Sequence, residues 1–195
     1  PGAEPSDQYV YDPLDPVPTM GGQLCCDPAF MRWGAYDQRP VEERSDVLVY
    51  STPPLKEDME VTGPVSMTLY AESTASDTDF TAKLVDVEVS GYARNLTDGI
   101  IRARYRQPRS AARFIKPGQV LEYTIDLWAT SNLFKKGHRL RLEISSSNFP
   151  RFDRNSNTGG SITDERDSAY ESASQTVYHD DIYPSHLTLC VVPTR

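Results

Sequence analysis

The amino-acid sequence predicts an all-β domain in which two sheets pack face to face, as in a jelly-roll sandwich. About eight segments alternate apolar and polar residues at short spacing, and no long stretch has helical periodicity. Eleven Tyr, fifteen Pro and eleven Gly favour strands and turns over long helices. A chain of 195 residues is long enough for one domain with a real core.

The clearest strand follows His138. Leu140, Leu142 and Ile144 fall on one face, and charged residues occupy the alternate positions. Side chains alternate across a strand, so this pattern predicts a half-buried strand. A serine triplet ends it, and a polar segment over 148–160 predicts a long loop that presents residues at one end of the sheet.

The other strands are predicted from the same alternation. They cover residues 9–11, 46–51, 61–73, 79–89, 92–96, 100–105, 120–128 and 187–192. Gly63-Pro64 indicates an edge or a bulge. The apolar parity changes within 79–89, which predicts either a bulge or a strand covered on both faces. Asp98-Gly99 predicts a turn, 130–137 a connection, and 161–181 a polar segment with at most a weak helical tendency.

Residues 1–45 are predicted to form an extended arm that packs on the sandwich formed by 46–195. Pro13, Pro16 and Pro18 disfavour a helix and favour extended backbone. Residues 9–11 are expected to add a short edge strand. The opening residues read as a linker, so the natural polypeptide is expected to begin well upstream.

Charge and cysteine content narrow the classes of partner. The net charge is −8 and the isoelectric point about 4.9, which argues against nucleic-acid partners and anionic membranes.

No apolar run is long enough to span a bilayer and no signal peptide is recognisable, so a cytoplasmic location is expected. Three cysteines without regular spacing predict reduced thiols, with Cys190 in a strand core and the Cys25-Cys26 pair in a loop.

The sequence offers no recognisable serine-hydrolase triad. It lacks a G-x-S-x-G elbow, and each of His138, His179 and His186 is more readily explained as a surface residue. We therefore predict no catalytic residue in this chain, and we predict that the chain is inactive alone.

A calcium loop is weakly indicated by oxygen-bearing side chains at alternate positions. These are Asp153, Asn155 and Asn157, followed by Asp164. The glycine is misplaced and no Glu closes the loop, so a structural loop whose Asx side chains bond local backbone is favoured. No metal and no cofactor are predicted.

Two charged groups each allow two interpretations. Asp77 and Asp79 share a strand face and have Asp86 nearby, which fits a paired-carboxylate site or, more ordinarily, strand capping. A local basic run fits a solvated strand face or ion pairs to another domain. Its members are Arg102, Arg104, Arg106, Arg109 and Arg113.

Several long stretches resemble the C-terminal domain of the cocaine-esterase and X-Pro dipeptidyl-peptidase family. They are DTDFTAKLVDV (77–87), NLTDGIIRARYR (95–106), TSNLFKKGHRLRLEISSSNFPRFDRNSNTG (130–159) and PSHLTL (184–189), with YVYDPLDPVPTMGG (9–22) at the start. The resemblance covers nearly the whole chain in order. It implies a galactose-binding-like jelly roll, and it implies that a strand preceding residue 9 is missing.

The resemblance also implies a function. The family's enzymes are serine hydrolases that cleave esters or amides, and their triad lies in an α/β-hydrolase domain upstream of this region. The expected role is therefore a non-catalytic accessory domain that packs on the α/β-hydrolase and cap domains of its parent, stabilises them and helps to wall the acyl pocket. A homo-oligomer is compatible with this arrangement.

Exposed apolar residues in loops would mark the interface or pocket wall, and Trp33 and Trp128 are candidates for either core or interface. The residues predicted to contact the pocket or the neighbouring domains are Leu133, Phe134, Asn148, Phe149, Arg151, Phe152 and Asp153. The alternative function is an autonomous carbohydrate- or ligand-binding module. It requires a platform of exposed aromatic residues, which the sequence does not reveal.

Overall fold

Two antiparallel sheets face each other in the computed structural model, which describes residues 6–23, 29, 31–107, 110–161 and 163–193. The strands are β1 (Asp7–Tyr11), β2 (Leu48–Ser51), β3 (Met59–Ser73), β4 (Asp79–Val87), β5 (Ala93–Arg102), β6 (Leu121–Phe134), β7 (Arg139–Ser145), β8 (Ala173–Tyr178) and β9 (His186–Thr188). One sheet has the order β1-β8-β3-β6 with β9 also on β3, and the other has the order β2-β7-β4-β5. The predicted all-β sandwich is confirmed.

The core lies between the sheets and is built from the positions that the alternation assigned to it. Met67 and Leu69 of β3 are fully buried, as are Leu84 of β4 and Ile125 of β6. Removing each such side chain from water contributes about 1.5 to 3 kcal/mol, so the inward faces of the alternating strands stabilise the sandwich. The predicted edge strand at residues 9–11 is also confirmed, because β8 is the single pairing partner of β1 within the described part of the chain.

Both predicted irregularities are present. The pairing of β3 with β6 shifts register between Pro64 and Ser66. The pairing of β4 with β5 shifts between Leu84 and Val85, and every residue of β4 is buried. The change of parity in β4 therefore has both proposed causes, a bulge and a covered outer face.

The turn predicted at Asp98-Gly99 is wrong, because both residues lie inside the single strand β5. A Cβ at Gly99 would lie 2.0 Å from the carbonyl oxygen of Asp126. The glycine therefore permits close approach of β5 to β6 instead of reversing the chain.

Two further predictions are corrected. The connection predicted at 130–137 is strand as far as Phe134, because β6 resumes its pairing with β3 beyond the irregularity near Trp128. The polar segment 161–181 contains β8, whose inward positions include Gln175, fully buried and hydrogen-bonded to Thr78. A polar residue on the buried face hid this strand from the hydrophobic pattern.

The last strand, β9, is shorter than predicted, and Cys190 is exposed instead of lying in a strand core. It follows β9 and packs beside Gly63. Cys25 and Cys26 lie outside the described residues, as does Arg109.

The segment after β1 crosses the outer face of the β2-β7-β4-β5 sheet. Its contacts include a bridge between Asp37 and Arg94 and a hydrogen bond from the backbone N–H of Gln38 to the carbonyl of Ala93. A four-residue helix, α1 (Arg39–Glu42), ends the crossing. Polar residues on the outer face of this sheet are thereby buried, and several of them carry charge.

Candidate functional site

A polar cleft lies where the loop after β7 passes the end of β5. Two adjoining cavities of about 520 and 330 Å³ share Arg102, Tyr105 and Asp153 as lining residues. Phe152 and Arg151 line the smaller cavity. The cleft therefore contains three of the residues predicted for the pocket or interface, namely Arg151, Phe152 and Asp153.

Two buried ion pairs form the floor of this cleft. Asp79 receives Arg102 Nε and Nη2 at 2.9 and 3.0 Å, and Asp77 receives Arg104 Nε at 2.7 Å. Both carboxylates are fully buried. The predicted carboxylate pair and part of the predicted basic run thus neutralise each other, so these arginines are committed within the domain.

Asn155 holds the two ion pairs together. Its Nδ2 donates to Asp77 and to Asp79, each at 2.8 Å, and its Oδ1 accepts the backbone N–H of Asn157 at 3.0 Å. Burial raises the pKa of the Asp79 carboxyl, and the Arg102 guanidinium opposes that rise. The network is a structural clamp between the loop and the first residues of β4.

The orientation of Asn155 shows which role the residues of the predicted calcium loop take. Asn155 turns its nitrogen, a donor, toward the carboxylates, and metal ions bind oxygen acceptors. The predicted bonding of Asx side chains to local backbone is confirmed by the Asn155–Asn157 contact. No group of three His, Cys, Asp or Glu side chains suited to a metal occurs in the described part of the chain.

The three histidines pair with carboxylates or backbone. His138 Nδ1 lies 2.8 Å from Asp86, and His186 Nδ1 lies 2.7 Å from the carbonyl oxygen of Pro184. His179 Nε2 lies 3.0 Å from Asp7, which also accepts the hydroxyl of Tyr50. These partners orient the imidazoles.

Leu133 and Phe134 are adjacent in β6 but point in opposite directions. Phe134 is fully buried in the sandwich core, whereas Leu133 is 48% exposed on the outer face of its sheet. Strand alternation requires this difference. The side chain of Leu133 therefore reaches the surface, and that of Phe134 does not.

The remaining predicted residues flank the arm. Asn148 is buried and donates to Asp98 at 2.9 Å, and Arg151 pairs with the same carboxylate at 3.1 Å. Burial raises the pKa of Asp98, and Arg151 opposes that rise. Phe149 is half-buried and forms a parallel β-bridge with Pro18 of the arm. Asp153 is exposed. Asn148 and Arg151 therefore tie the loop to the sheet.

Sequence reasoning missed two features of the surface and one of the interior. Trp128, which is 64% exposed, has a left-handed backbone at φ 67°, and the periodicity did not signal that conformation. Tyr70 and Tyr183 form a surface aromatic pair that Tyr178 extends. The buried contact between Glu42 and Glu143 joins residues 101 positions apart in sequence, so no local pattern reveals it.

Residues 4–188 match the family described as the X-Pro dipeptidyl-peptidase C-terminal non-catalytic domain. The chain belongs to this family. The match covers most of the chain, as the sequence resemblance did. Among the described residues, no helix has the length and apolar character needed to cross a bilayer.

Two known proteins are similar to this chain over at least 68% of its length. The chain is 48% identical over 191 residues to a cocaine esterase of Rhodococcus sp. (strain MB1 Bresler), covering 98% of this chain and 33% of that protein. It is 32% identical over 150 residues to a putative serine esterase of Mycobacterium bovis, covering 68% of this chain and 22% of that protein.

Solved structures show the same domain within larger chains. An aminopeptidase from a marine sediment archaeon, Thaumarchaeota archaeon, superposes with a TM-score of 0.90 at 34% identity over 99% of this chain and 34% of that one. An α-amino acid ester hydrolase superposes with a TM-score of 0.87 at 32% identity over 96% of this chain and 32% of that one. The chain spans about a third of the length of these proteins.

Proposed function

We propose that this chain acts as the C-terminal accessory domain of a serine hydrolase that cleaves acyl esters or Xaa-Pro amides. In this role it packs on the α/β-hydrolase and cap domains, stabilises them and helps to wall the acyl pocket. The observation that carries the proposal is the match of residues 4–188 to a non-catalytic C-terminal domain, in a chain one third as long as its hydrolase relatives.

The exposed apolar residues support contact with other domains. Leu133 lies opposite Glu60 on β3, and the backbone N–H of Val192 donates to the carbonyl of Glu60 on the other side. Leu133 and Val192 are 48% and 40% exposed, and Trp128 is 64% exposed on the same strand as Leu133. Exposed apolar side chains of this kind favour burial against a partner.

The cleft described above supports a role beside a substrate pocket. Phe152 and Tyr105 supply aromatic surface to its wall, and Arg102 is held rigid by Asp79. A wall built on buried ion pairs keeps its shape when a ligand or a neighbouring domain is present. This surface and the Leu133 surface are the two proposed contacts.

The test uses the chain and the hydrolase-plus-cap portion of its parent, produced separately. We expect the chain alone to leave a p-nitrophenyl acyl ester intact, and we expect it to bind the other portion and raise its melting temperature. Leu133→Ala is expected to weaken binding about tenfold, whereas Ile182→Ala, at a residue 77% exposed, serves as the matched control. Hydrolysis by the chain alone, or no binding at micromolar concentrations, would overturn the proposal.

A second candidate function, saccharide binding, is favoured by the tyrosine cluster. The ring centroids of Tyr70 and Tyr183 are 5.8 Å apart, those of Tyr178 and Tyr183 are 5.4 Å apart, and Glu122 accepts the Tyr70 hydroxyl. Aromatic faces beside carboxylates suit sugar rings, which present both apolar C–H faces and hydroxyl donors. A glycan array with the wild-type chain and Tyr183→Ala tests it, because signal that Tyr183→Ala leaves unchanged does not come from this cluster.

A further inference from the structure

The arm helix α1 meets the β2-β7-β4-β5 sheet through two buried carboxyl groups. Glu143 of β7 is 2% exposed, and the side chain of Glu42 on α1 is 9% exposed. Glu42 Oε2 accepts Arg141 Nη1 at 2.6 Å, and Glu143 Oε2 lies 3.4 Å from Lys83 Nζ. Two acids and two bases thus meet at the contact between the arm and the sandwich.

The geometry leaves this contact short of donors. Glu42 Oε1 and both carboxyl oxygens of Glu143 receive no hydrogen bond from any of the described residues. Buried acceptors without donors are costly, and protonating one carboxyl turns one of its oxygens into a donor. The side chain of Glu42 lies next to that of Glu143, so a proton on either carboxyl supplies a donor to the other.

The neighbouring charges leave Glu143 incompletely neutralised. Lys83 of β4 also donates to the side-chain oxygen of Gln38 at 3.1 Å, and its charge is shared with Asp98 of β5. Arg141 of β7 is engaged by Glu42. Burial is the largest cause that raises the pKa of Glu143 to about 7, with Lys83 opposing the rise and Glu42 adding to it.

We propose that Glu42 and Glu143 form a proton-dependent latch that holds α1 against the sheet while the pair shares one proton. When the pH rises above neutrality the proton passes to solvent, and two buried carboxylates then face each other. Their repulsion loosens α1 and the arm segment that precedes it. That segment includes the bridge between Gly22 and Gly34, with the exposed Trp33 beside it, so the latch sets the order of this surface.

Proton linkage determines how docking of the arm depends on pH. The docked arm binds the proton more tightly than the undocked arm, whose Glu143 reaches water and has an ordinary carboxyl pKa. Docking is therefore strongest at low pH and weakens as the pH rises through the pKa of the docked state. With that pKa at about 7, docking weakens about tenfold between pH 6 and pH 8.5.

Amide hydrogen exchange on the chain tests the latch. The backbone N–H groups of Val41 and Glu42 both donate to the carbonyl of Gln38, so their protection reports whether α1 is formed. Protection is divided by that of Met67 in the core and corrected for the intrinsic pH dependence of exchange. We expect the ratio to fall about tenfold from pH 6 to pH 8.5 in the wild type.

Three variants complete the test. Glu143→Gln replaces the acid with a neutral amide of the same shape and is expected to keep the ratio constant over this pH range. Glu42→Gln is expected to do the same if Glu143→Gln folds poorly, and far-ultraviolet circular dichroism checks folding of both. Glu43→Gln removes an exposed charge next to the pair and is expected to behave like the wild type. A flat wild-type profile, or an unchanged profile in both pair variants, would overturn the proposal.

Discussion

Replacing Asn155 with alanine tests whether the clamp under the cleft stabilises the domain. Asn155 is fully buried and lies at the junction of two ion pairs that are distant in sequence. Its substitution removes Nδ2, which donates hydrogen bonds to both Asp77 and Asp79. It also removes Oδ1, which accepts the backbone N–H of Asn157. The arginine partners remain, so the variant isolates the contribution of the amide.

The expected loss of unfolding free energy follows from the hydrogen bonds that Asn155 makes. Each hydrogen bond to a charged group contributes about 1.5 to 3 kcal/mol, and Asn155 makes two of them at 2.8 Å. The two carboxylates keep their guanidinium partners, which lowers the combined loss. We expect Asn155→Ala to reduce the free energy of unfolding by about 3 to 4 kcal/mol.

Urea denaturation followed by tryptophan fluorescence measures this change at pH 7. Asp153→Ala is the matched control, because Asp153 is exposed in the same loop and its replacement is expected to change stability by less than about 0.5 kcal/mol. A loss below about 1 kcal/mol for Asn155→Ala, equal to that of the control, would show that the clamp is not stabilising.

Three other changes test the packing and the electrostatics. Gly99→Ala places a methyl group 2.0 Å from a carbonyl oxygen of β6 and is expected to lower the melting temperature by more than about 10 °C, measured by calorimetry. Phe134→Ala is expected to cost about 3 to 5 kcal/mol in urea denaturation, whereas Leu133→Ala is expected to cost less than about 0.5 kcal/mol in the isolated chain, since only Phe134 is buried. Equal losses would contradict the assigned directions of these side chains. The raised pKa of Glu143 predicts that unfolding free energy falls by about 2 to 3 kcal/mol as the pH rises from 4.5 past 7, and that Glu143→Gln removes this part of the pH dependence in denaturation curves recorded at each pH.

Much of the fold follows from local pattern. Alternation in β3, β6 and β7 assigned their inward residues correctly, because one face of each strand packs in the core and the pleat has a period of two. The strand β8 escaped prediction because a buried glutamine occupies one of its core-facing positions. The turn assigned to Asp98-Gly99 failed because glycine also serves close strand packing, and the two uses look alike in sequence.

The candidate site was predictable in its parts but not in its assembly. Asp77, Asp79 and Asn155 were each recognisable as polar residues with a local reason for interest. Their contact spans 76 to 78 positions of sequence and depends on how the loop after β7 returns to the start of β4. A sequence pattern carries no information on such a return, so a metal loop and a carboxylate pair were separate hypotheses about what is one network.

The sequence by itself determined the all-β class, the inward faces of the main strands and the membership of the family of X-Pro dipeptidyl-peptidase C-terminal non-catalytic domains. Tertiary structure decided what covers the outward faces. Glu143 stands at a position that alternation assigns to solvent, yet Glu143 and its neighbour Lys83 are buried because the arm crosses their sheet. Alternation specifies on which side of a sheet a residue lies, and only the path of the rest of the chain specifies whether that side meets water.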